Sequence, residues 1–242
     1  MAYGARIRNE GGSLVQIDPL YENLALRDKG SVVTVQLGAS GRESFCGIAT
    51  IQMAGCNEPL IAVKCDGVFV ALRKRTKSGT TYTWELITST PVTTVQYWVF
   101  DTTDVAQMAF AIPHGMRVRN PNNGRVVFDS RYKYMRILSM ISGTVASIAN
   151  DYAVPISSGF AVAFSNPSLS TLVAGGPVSD PNRFFYQVQT QLAGFRTGSG
   201  VVSTMAIVTR SFTLEGANPP PYPTGVYGSL QARGLCLDVR NY

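Results

Sequence analysis

The chain has 242 residues, of which 45% are hydrophobic and 15% are charged, with a formal net charge of +6. This apolar content is ample for packed cores and excludes general disorder. In soluble proteins about a quarter of the residues are charged. The lower charged fraction of this chain favours a surface partly covered by other subunits. The basic residues are scattered apart from a cluster at residues 73–77, expected at a hairpin tip, so the charge does not predict nucleic-acid binding.

The start of the chain carries no targeting pattern. Residues 1–10 lack the apolar core of a secretory signal, and no stretch approaches the length of a membrane span. We therefore expect synthesis in the cytosol and no membrane insertion. Cys46, Cys56, Cys65 and Cys236 match no metal-binding spacing. They are either buried free thiols, which a reducing cytoplasm favours, or include a 46–56 or 56–65 bridge formed after release from the cell.

The first predicted element is a hairpin that the chain repeats. The stretch RIRNEGGSLVQID at residues 6–18 aligns without a gap with RVRNPNNGRVVFD at residues 117–129. Each copy alternates charged and apolar residues on either side of an Asn- and Gly-rich corner, as two antiparallel strands do. In the second copy, Arg117, Arg119 and Asp129 should share one face. We interpret them as an exposed charge pair on a solvated sheet; a basic patch for an acidic partner is the alternative.

Strands dominate the rest of the chain, because β-branched residues, Gly, Pro, Ser and Thr recur and no sustained helical periodicity is present. Short strands separated by turns predict an all-β fold of two antiparallel β-sandwich modules in tandem, partly duplicated, at residues 1–112 and 113–242. The predicted strands cover residues 5–8, 13–17, 24–27, 31–37, 47–52, 60–65, 68–74, 80–87, 93–100, 116–119, 125–128, 136–141, 144–148, 161–165, 183–190, 203–212 and 234–239.

Two segments interrupt this pattern. Residues 165–183 are rich in Pro, Gly, Asn and Ser and form the longest predicted loop. Residues 216–230 contain successive prolines that cannot enter a central strand, so they predict a Pro-rich extended strap. The strap lies either on its own domain or on a neighbouring subunit. The candidate partner-binding residues on it are Pro219, Pro220, Pro221, Tyr222 and Tyr227.

Residues that catalysis requires are scarce. His114 is the only histidine and lies in a predicted turn between the modules, so no Ser-His-Asp arrangement is predicted. The acidic pair Asp101 and Asp104 lacks the alternating spacing of a calcium loop. Trp84 and either Trp98 or Tyr97 are expected in the core rather than on a sugar-stacking platform. We therefore predict no catalytic, cofactor-binding or metal-binding residues and no enzyme activity.

Three blocks of sequence resemble a family of small bacteriophage tail proteins. They are the opening MAYGARIRNEGGSLVQID, the strand VQYWVFD at residues 95–101 and the block GMRVRNPNNGRVVFDSRYKYMRI at residues 115–137. Similar blocks recur in this order in that family, and residues beyond them match no motif. The resemblance implies a component of the tail tip of a long-tailed, siphophage-type phage, encoded near the central host-specificity protein and the fibres. It implies no catalytic residues.

Composition and resemblance together predict a non-enzymatic structural protein of the virion, placed in a tail tip, baseplate or tail fibre. It is expected to form a homo-oligomer, by analogy a trimer, and to link tail components for host attachment. Two alternatives remain. One is a receptor-binding module that recognises a host surface glycan or protein through residues 165–183 and exposed tyrosines; the other is a hydrolase of surface polysaccharide.

Overall fold

The computed structural model describes residues 7–8, 15–17, 23–107, 115–146, 148–177, 184–216, 225–227 and 230–242. Within these ranges the chain forms nineteen β-strands and one short 3-10 helix, Gly41–Phe45, and no α-helix. The strands pair antiparallel in several sheets, so the predicted all-β, antiparallel fold class is confirmed.

The strands are numbered in chain order. Those of the first half are β1 (Ile7–Arg8), β2 (Val15–Ile17), β3 (Ala25–Val33), β4 (Val35–Gln36), β5 (Gly47–Met53), β6 (Leu60–Lys64), β7 (Val70–Ser78), β8 (Thr81–Thr88) and β9 (Thr94–Asp101). Those of the second half are β10 (Arg117–Arg119), β11 (Val126–Asp129), β12 (Ile137–Thr144), β13 (Asn150–Ala153), β14 (Phe160–Phe164), β15 (Leu169–Pro177), β16 (Phe184–Thr197), β17 (Val201–Gly216), β18 (Gly225–Tyr227) and β19 (Gln231–Asp238).

Two large sheets form a sandwich. The first has six strands in the order β12-β19-β14-β6-β9-β3. The second has nine, in the order β13-β17-β16-β7-β8-β5-β4, with β15 on the edge of β16 and β18 on the edge of β15. Alternate residues of both sheets meet in the largest hydrophobic cluster, which includes Trp84 of β8, Val99 of β9 and Phe160 of β14.

The six-stranded sheet curls on itself. At one end of β3, Leu26 donates its N–H to the carbonyl of Lys133, and Met135 donates to the carbonyl of Leu24. Soon afterwards the chain enters β12 at the opposite edge of the same sheet, so the two edges approach each other there. The concave face encloses a second cluster, formed by Leu26, Ala62, Trp98, Phe100, Ala161, Ala163, Leu237 and Val239.

The duplication extends through the six-stranded sheet. From one edge to the centre its strands are β3, β9 and β6, and from the other edge to the centre they are β12, β19 and β14. The strands of the two halves therefore correspond in this order. Leu26 pairs with Phe100, and Ile137, its counterpart in the repeat, pairs with Leu237. Each of these pairs is followed by a register shift at the same place in its strand. An approximate twofold rotation therefore relates the halves of this sheet, and Ala62 pairs with Ala163 at its centre.

The two predicted hairpins are also present with one shared geometry. In the first, Ile7 pairs with Ile17 and Arg8 with Val15. In the second, Val118 pairs with Phe128 and Arg119 with Val126. The register shift falls between the two pairs in both hairpins, so each copy contains the same β-bulge.

The boundary expected at residue 112 does not separate the sheets. β6 pairs with β14 in one sheet, and β7 pairs with β16 in the other. The two halves, 1–112 and 113–242, are joined edge to edge, and the central hydrophobic cluster contains residues of both. This joining covers two strand edges in each sheet, which is a general reason for half-sheets to associate.

The expected loop at residues 165–183 contains a strand, so that prediction was wrong for residues 169–177. β15 pairs with β16 over its whole length. The glycines of β15 are compatible with a strand that is stabilised by backbone pairing. Pro177 is the last residue of the strand, where the missing amide hydrogen is tolerated. The strand expected at 144–148 is also displaced, since β12 ends at Thr144 and β13 begins at Asn150.

Candidate assembly surface and buried polar sites

The candidate partner-binding residues of the strap are only partly described. Pro219, Pro220, Pro221 and Tyr222 lie outside the described residues, as does His114. The backbone of Tyr227 belongs to β18 and pairs with Thr171 of β15, whereas its side chain lies outside the description. Further on, the carbonyl of Leu230 accepts a hydrogen bond from the N–H of Val145. The described part of the strap is thus paired with its own chain.

Asp129, at the end of β11, is the most constrained carboxylate. It accepts a hydrogen bond from Arg117 Nε at 2.9 Å, and from Arg131 Nε at 2.8 Å and Nη2 at 2.6 Å. Its side chain is only 2% exposed, so the prediction of an exposed charge pair was wrong for the aspartate. The turn after β11 returns Arg131 over the carboxylate. The hydrogen bonds from Arg131 hold the pKa of Asp129 well below its ordinary value, despite burial, which acts in the opposite direction.

Tyr134 connects the backbone of Asp129 to the curled sheet. Its hydroxyl accepts a hydrogen bond from the backbone N–H of Asp129 at 2.6 Å, and its ring stacks on Phe128 with centroids 4.8 Å apart. The backbone of Tyr134 forms a bridge with Ala25 at the edge of β3. Burial raises the pKa of the Tyr134 hydroxyl, which keeps it protonated. The block FDSRYKYMRI, which carries the family resemblance, therefore makes the junction between the second hairpin and the sheet.

Two further buried aspartates occupy equivalent places in the halves. Asp101 ends β9 and accepts hydrogen bonds from the backbone N–H groups of Asn57 and Glu58 at 3.0 and 2.9 Å. Asp238 ends β19 and accepts hydrogen bonds from Arg240 Nε at 3.0 Å and Nη2 at 2.9 Å. These hydrogen bonds lower the pKa of Asp238. Neither role was predicted from the sequence; for Asp101 the available signal was the triplet VFD, which ends both β9 and β11.

Asp104 shares two partners with Asp101, because Asn57 and Thr102 each donate the backbone N–H to Asp101 and a side-chain group to Asp104. It accepts hydrogen bonds from Asn57 Nδ2 at 3.1 Å and lies 3.2 Å from Arg125 Nη2. Hydrogen bonding to Thr102 and the charge of Arg125 lower the pKa of Asp104 against the effect of burial, which is the largest single influence. This ion pair links the tip of the second hairpin to the loop after β9.

The edge of the six-stranded sheet at β12 is a candidate assembly surface. β12 pairs with β19 on one side, and no described strand lies on its other side. Its sequence, ILSMISGT, contains no charged residue and no proline. Ile137 and Met140 are 55% and 76% exposed. Met140 borders an apolar groove of about 330 Å³ on the concave face, which Leu60, Ala163 and Leu235 also line. Edge strands of natural proteins usually carry charges, prolines or a cover that prevents pairing with another chain.

The four cysteines are buried free thiols. Burial raises the pKa of each of them, and it is the largest influence in every case. The sequence left open either buried free thiols or a disulfide bridge, and the structure contains free thiols. Trp84 is buried as predicted, and of the two alternatives on β9 Trp98 is buried while Tyr97 is half-buried.

Comparisons of the chain with protein-family models, with curated proteins and with solved structures found no match. Across the described ranges, no three or more His, Cys, Asp or Glu side chains are grouped so that they could hold a metal ion. None of the helices among the described residues has the length and apolar character needed to cross a membrane.

Proposed function

We propose that this chain is a non-enzymatic structural protein of a bacteriophage tail, located in the tail tip, baseplate or fibre. It assembles as a homo-oligomer, for which the resemblance suggests a trimer, and it links neighbouring tail proteins such as the central host-specificity protein and the fibres. The observation that carries the proposal is the β12 edge, because an uncharged edge strand with exposed apolar side chains is suited to pairing with another chain.

The topology of the six-stranded sheet supports a closed ring of copies. Its two edge strands, β12 and β3, run antiparallel to each other, since five antiparallel steps separate them. At its start, β3 is bonded to Lys133 and Met135 of its own chain, so its open edge lies beyond Leu26. β12 of one copy can therefore pair antiparallel with this part of β3 in the next copy when the copies are related by rotation about an axis along the strands. Contacts between two different edges generate rings when the rotation closes.

The residues that carry the family resemblance also support a structural role. Arg117, Asp129, Arg131 and Tyr134 are engaged with one another or with the sheet, as described above. Buried, fully hydrogen-bonded polar groups of this kind fix one arrangement of the backbone. A protein that must present the same surfaces to several neighbours benefits from such fixed junctions.

Mass spectrometry of purified particles tests the proposal. Phage or prophage particles from the genome that encodes the chain should contain it in constant proportion to the major tail protein, and an allele with an early stop codon should give particles with defective tails. Normal particles that lack the protein would refute a virion role. Complementation of the stop allele by the intact gene controls for effects on neighbouring genes.

A further inference from the structure

A polar pocket lies at the end of the sandwich where three connections meet. These are the β6–β7 connection, the β13–β14 connection and the β16–β17 turn. The pocket has a volume of about 320 Å³, and its lining includes Lys64, Asp66, Ser157, Ser158 and Ser199. Loops that a rigid sheet holds together at one end of a sandwich are common places for ligand binding.

Hydrogen bonds tie the three connections to one another. Thr197 Oγ1 donates to Asp66 Oδ1 at 2.9 Å, which joins the β16–β17 turn to the β6–β7 connection. Gly200 donates its N–H to the carbonyl of Ser157 at 2.9 Å, which joins the same turn to the β13–β14 connection. The left-handed backbone of Gly200, with φ of +69°, permits this close approach. The pocket is therefore formed before any ligand arrives, which reduces the entropic cost of binding.

Several polar groups in the pocket retain hydrogen-bonding capacity. Lys64 Nζ lies 3.1 Å from Asp66 Oδ2, and the two side chains are 25% and 65% exposed. The exposed hydroxyls of Ser157, Ser158 and Ser199 make no hydrogen bond with any other described side chain or backbone group. An ammonium group donates, a carboxylate accepts and a hydroxyl does both. The pocket thus offers donors and acceptors side by side over a short distance.

The ammonium, carboxylate and hydroxyl groups of the pocket together favour one class of ligand. An anionic ligand would be repelled by Asp66, and a cationic one by Lys64, whereas adjacent hydroxyl groups can donate to the carboxylate and accept from the ammonium at once. We propose that the pocket binds one ring of an uncharged saccharide through its hydroxyl groups. The ligand would be part of a surface polysaccharide, so this site adds host recognition to the tail protein; it is independent of residues 165–183, where such binding was first expected.

Titration of the isotopically labelled full chain by NMR tests this site. The probes are the methyl glycosides of glucose, galactose and mannose and N-acetylglucosamine, with glucuronate and glucosamine as charged counterparts. At least one neutral probe should cause saturable shifts of the amide signals of residues 66–67, 157–159 and 198–199, with neither charged probe doing so. Absence of saturable shifts with every neutral probe, or shifts confined to another surface, would overturn the proposal.

Two variants and a control assign the binding to the pocket. Asp66→Asn should weaken binding about tenfold, as loss of a hydrogen bond to a charged group predicts. Ser158→Leu should abolish it by filling the pocket without removing a structural contact. Glu58→Gln, which alters an exposed carboxylate elsewhere, should leave the affinity unchanged. Unchanged affinity in both pocket variants, with spectra otherwise preserved, would contradict the assignment. Failure here would leave the virion test of the proposed function untouched.

Discussion

Arg117 and Asp129 lie directly opposite each other in the second hairpin, with 2.9 Å between Arg117 Nε and Asp129 Oδ2. The two residues differ in their surroundings, because the arginine side chain is 42% exposed while the aspartate is almost fully buried. The contact therefore neutralises a buried charge with a cation that keeps much of its hydration. Such a carboxylate depends on its partners far more than an exposed one does.

Asp129→Asn should destabilise the protein by about 3 kcal/mol, because it leaves two arginines without the anion around which they are arranged. The measurement is the free energy of unfolding in urea at pH 7. Asp151→Asn, at an exposed position of β13, is the matched control and should change this energy by less than about 0.5 kcal/mol. Equal, small effects of the two substitutions would contradict the structural role of Asp129.

The depressed pKa of Asp129 predicts a dependence of stability on acid. In the unfolded chain this carboxyl titrates near its ordinary pKa of about 3.9, whereas in the folded protein it stays ionised to lower pH. The stabilisation is therefore complete above about pH 5 and is lost as the pH falls toward the folded pKa. The free energy of unfolding of wild type should decrease more steeply below pH 4 than that of Asp129→Asn. Parallel curves would show that other carboxyls dominate acid unfolding.

Gly47, the first residue of β5, packs against Thr34 at the corner where β3 passes into β4. A Cβ at this residue would lie 2.5 Å from the carbonyl oxygen of Pro91 and 2.6 Å from Thr34 Oγ1. Gly47→Ala should therefore lower the free energy of unfolding by roughly 2–3 kcal/mol through overpacking. Gly198→Ala is the control, since its Cβ would have only an ordinary contact at 3.6 Å. Thermal or urea denaturation distinguishes the two, and a neutral Gly47→Ala would contradict the close packing of this corner.

The four buried thiols should react slowly. Their burial and raised pKa values reduce both access and the thiolate fraction, so a thiol reagent at pH 8 should modify none of them rapidly in the native protein. In denaturant all four cysteines should react at once. Fewer than four reactive groups in denatured, unreduced protein would reveal a disulfide, and rapid reaction of the native protein would reveal local opening.

Met140→Lys should prevent assembly without loss of stability. The side chain is largely exposed in one copy, so the substitution costs the monomer little, whereas a charge on the β12 edge opposes pairing with another chain. Light scattering behind a sizing column should give a multiple of 26.1 kDa for wild type, three times that mass for a trimer, and 26.1 kDa for the variant. Phe45→Lys, at an exposed site on the 3-10 helix, should retain the wild-type mass. A monomeric wild type would remove β12 as a self-association site.

The repeated hairpin shows how much of the structure could be predicted from local sequence patterns. Its alternation of charged and apolar residues and its Asn- and Gly-rich corner were sufficient to predict both strands, since these preferences act between residues close in the chain. The spacing of 111 residues between the hairpins (117 − 6) also separates Leu26 from Ile137, and the structure gives these two residues equivalent pairing partners. Beyond the hairpin, the similarity of sequence fades while the registers persist.

The sequence by itself determined the all-β class, most strands and the burial of Trp84, because these follow from local propensity and from the period-two pattern. Only the tertiary structure decided that the halves share two sheets, that β15 takes the place of a loop, and that Asp129 is buried between two arginines. Each of these depends on which edges meet across long stretches of chain. A strand such as β15 is stabilised by hydrogen bonds to the backbone of the neighbouring strand. The side chains of β15 therefore do not predict which strand it pairs with.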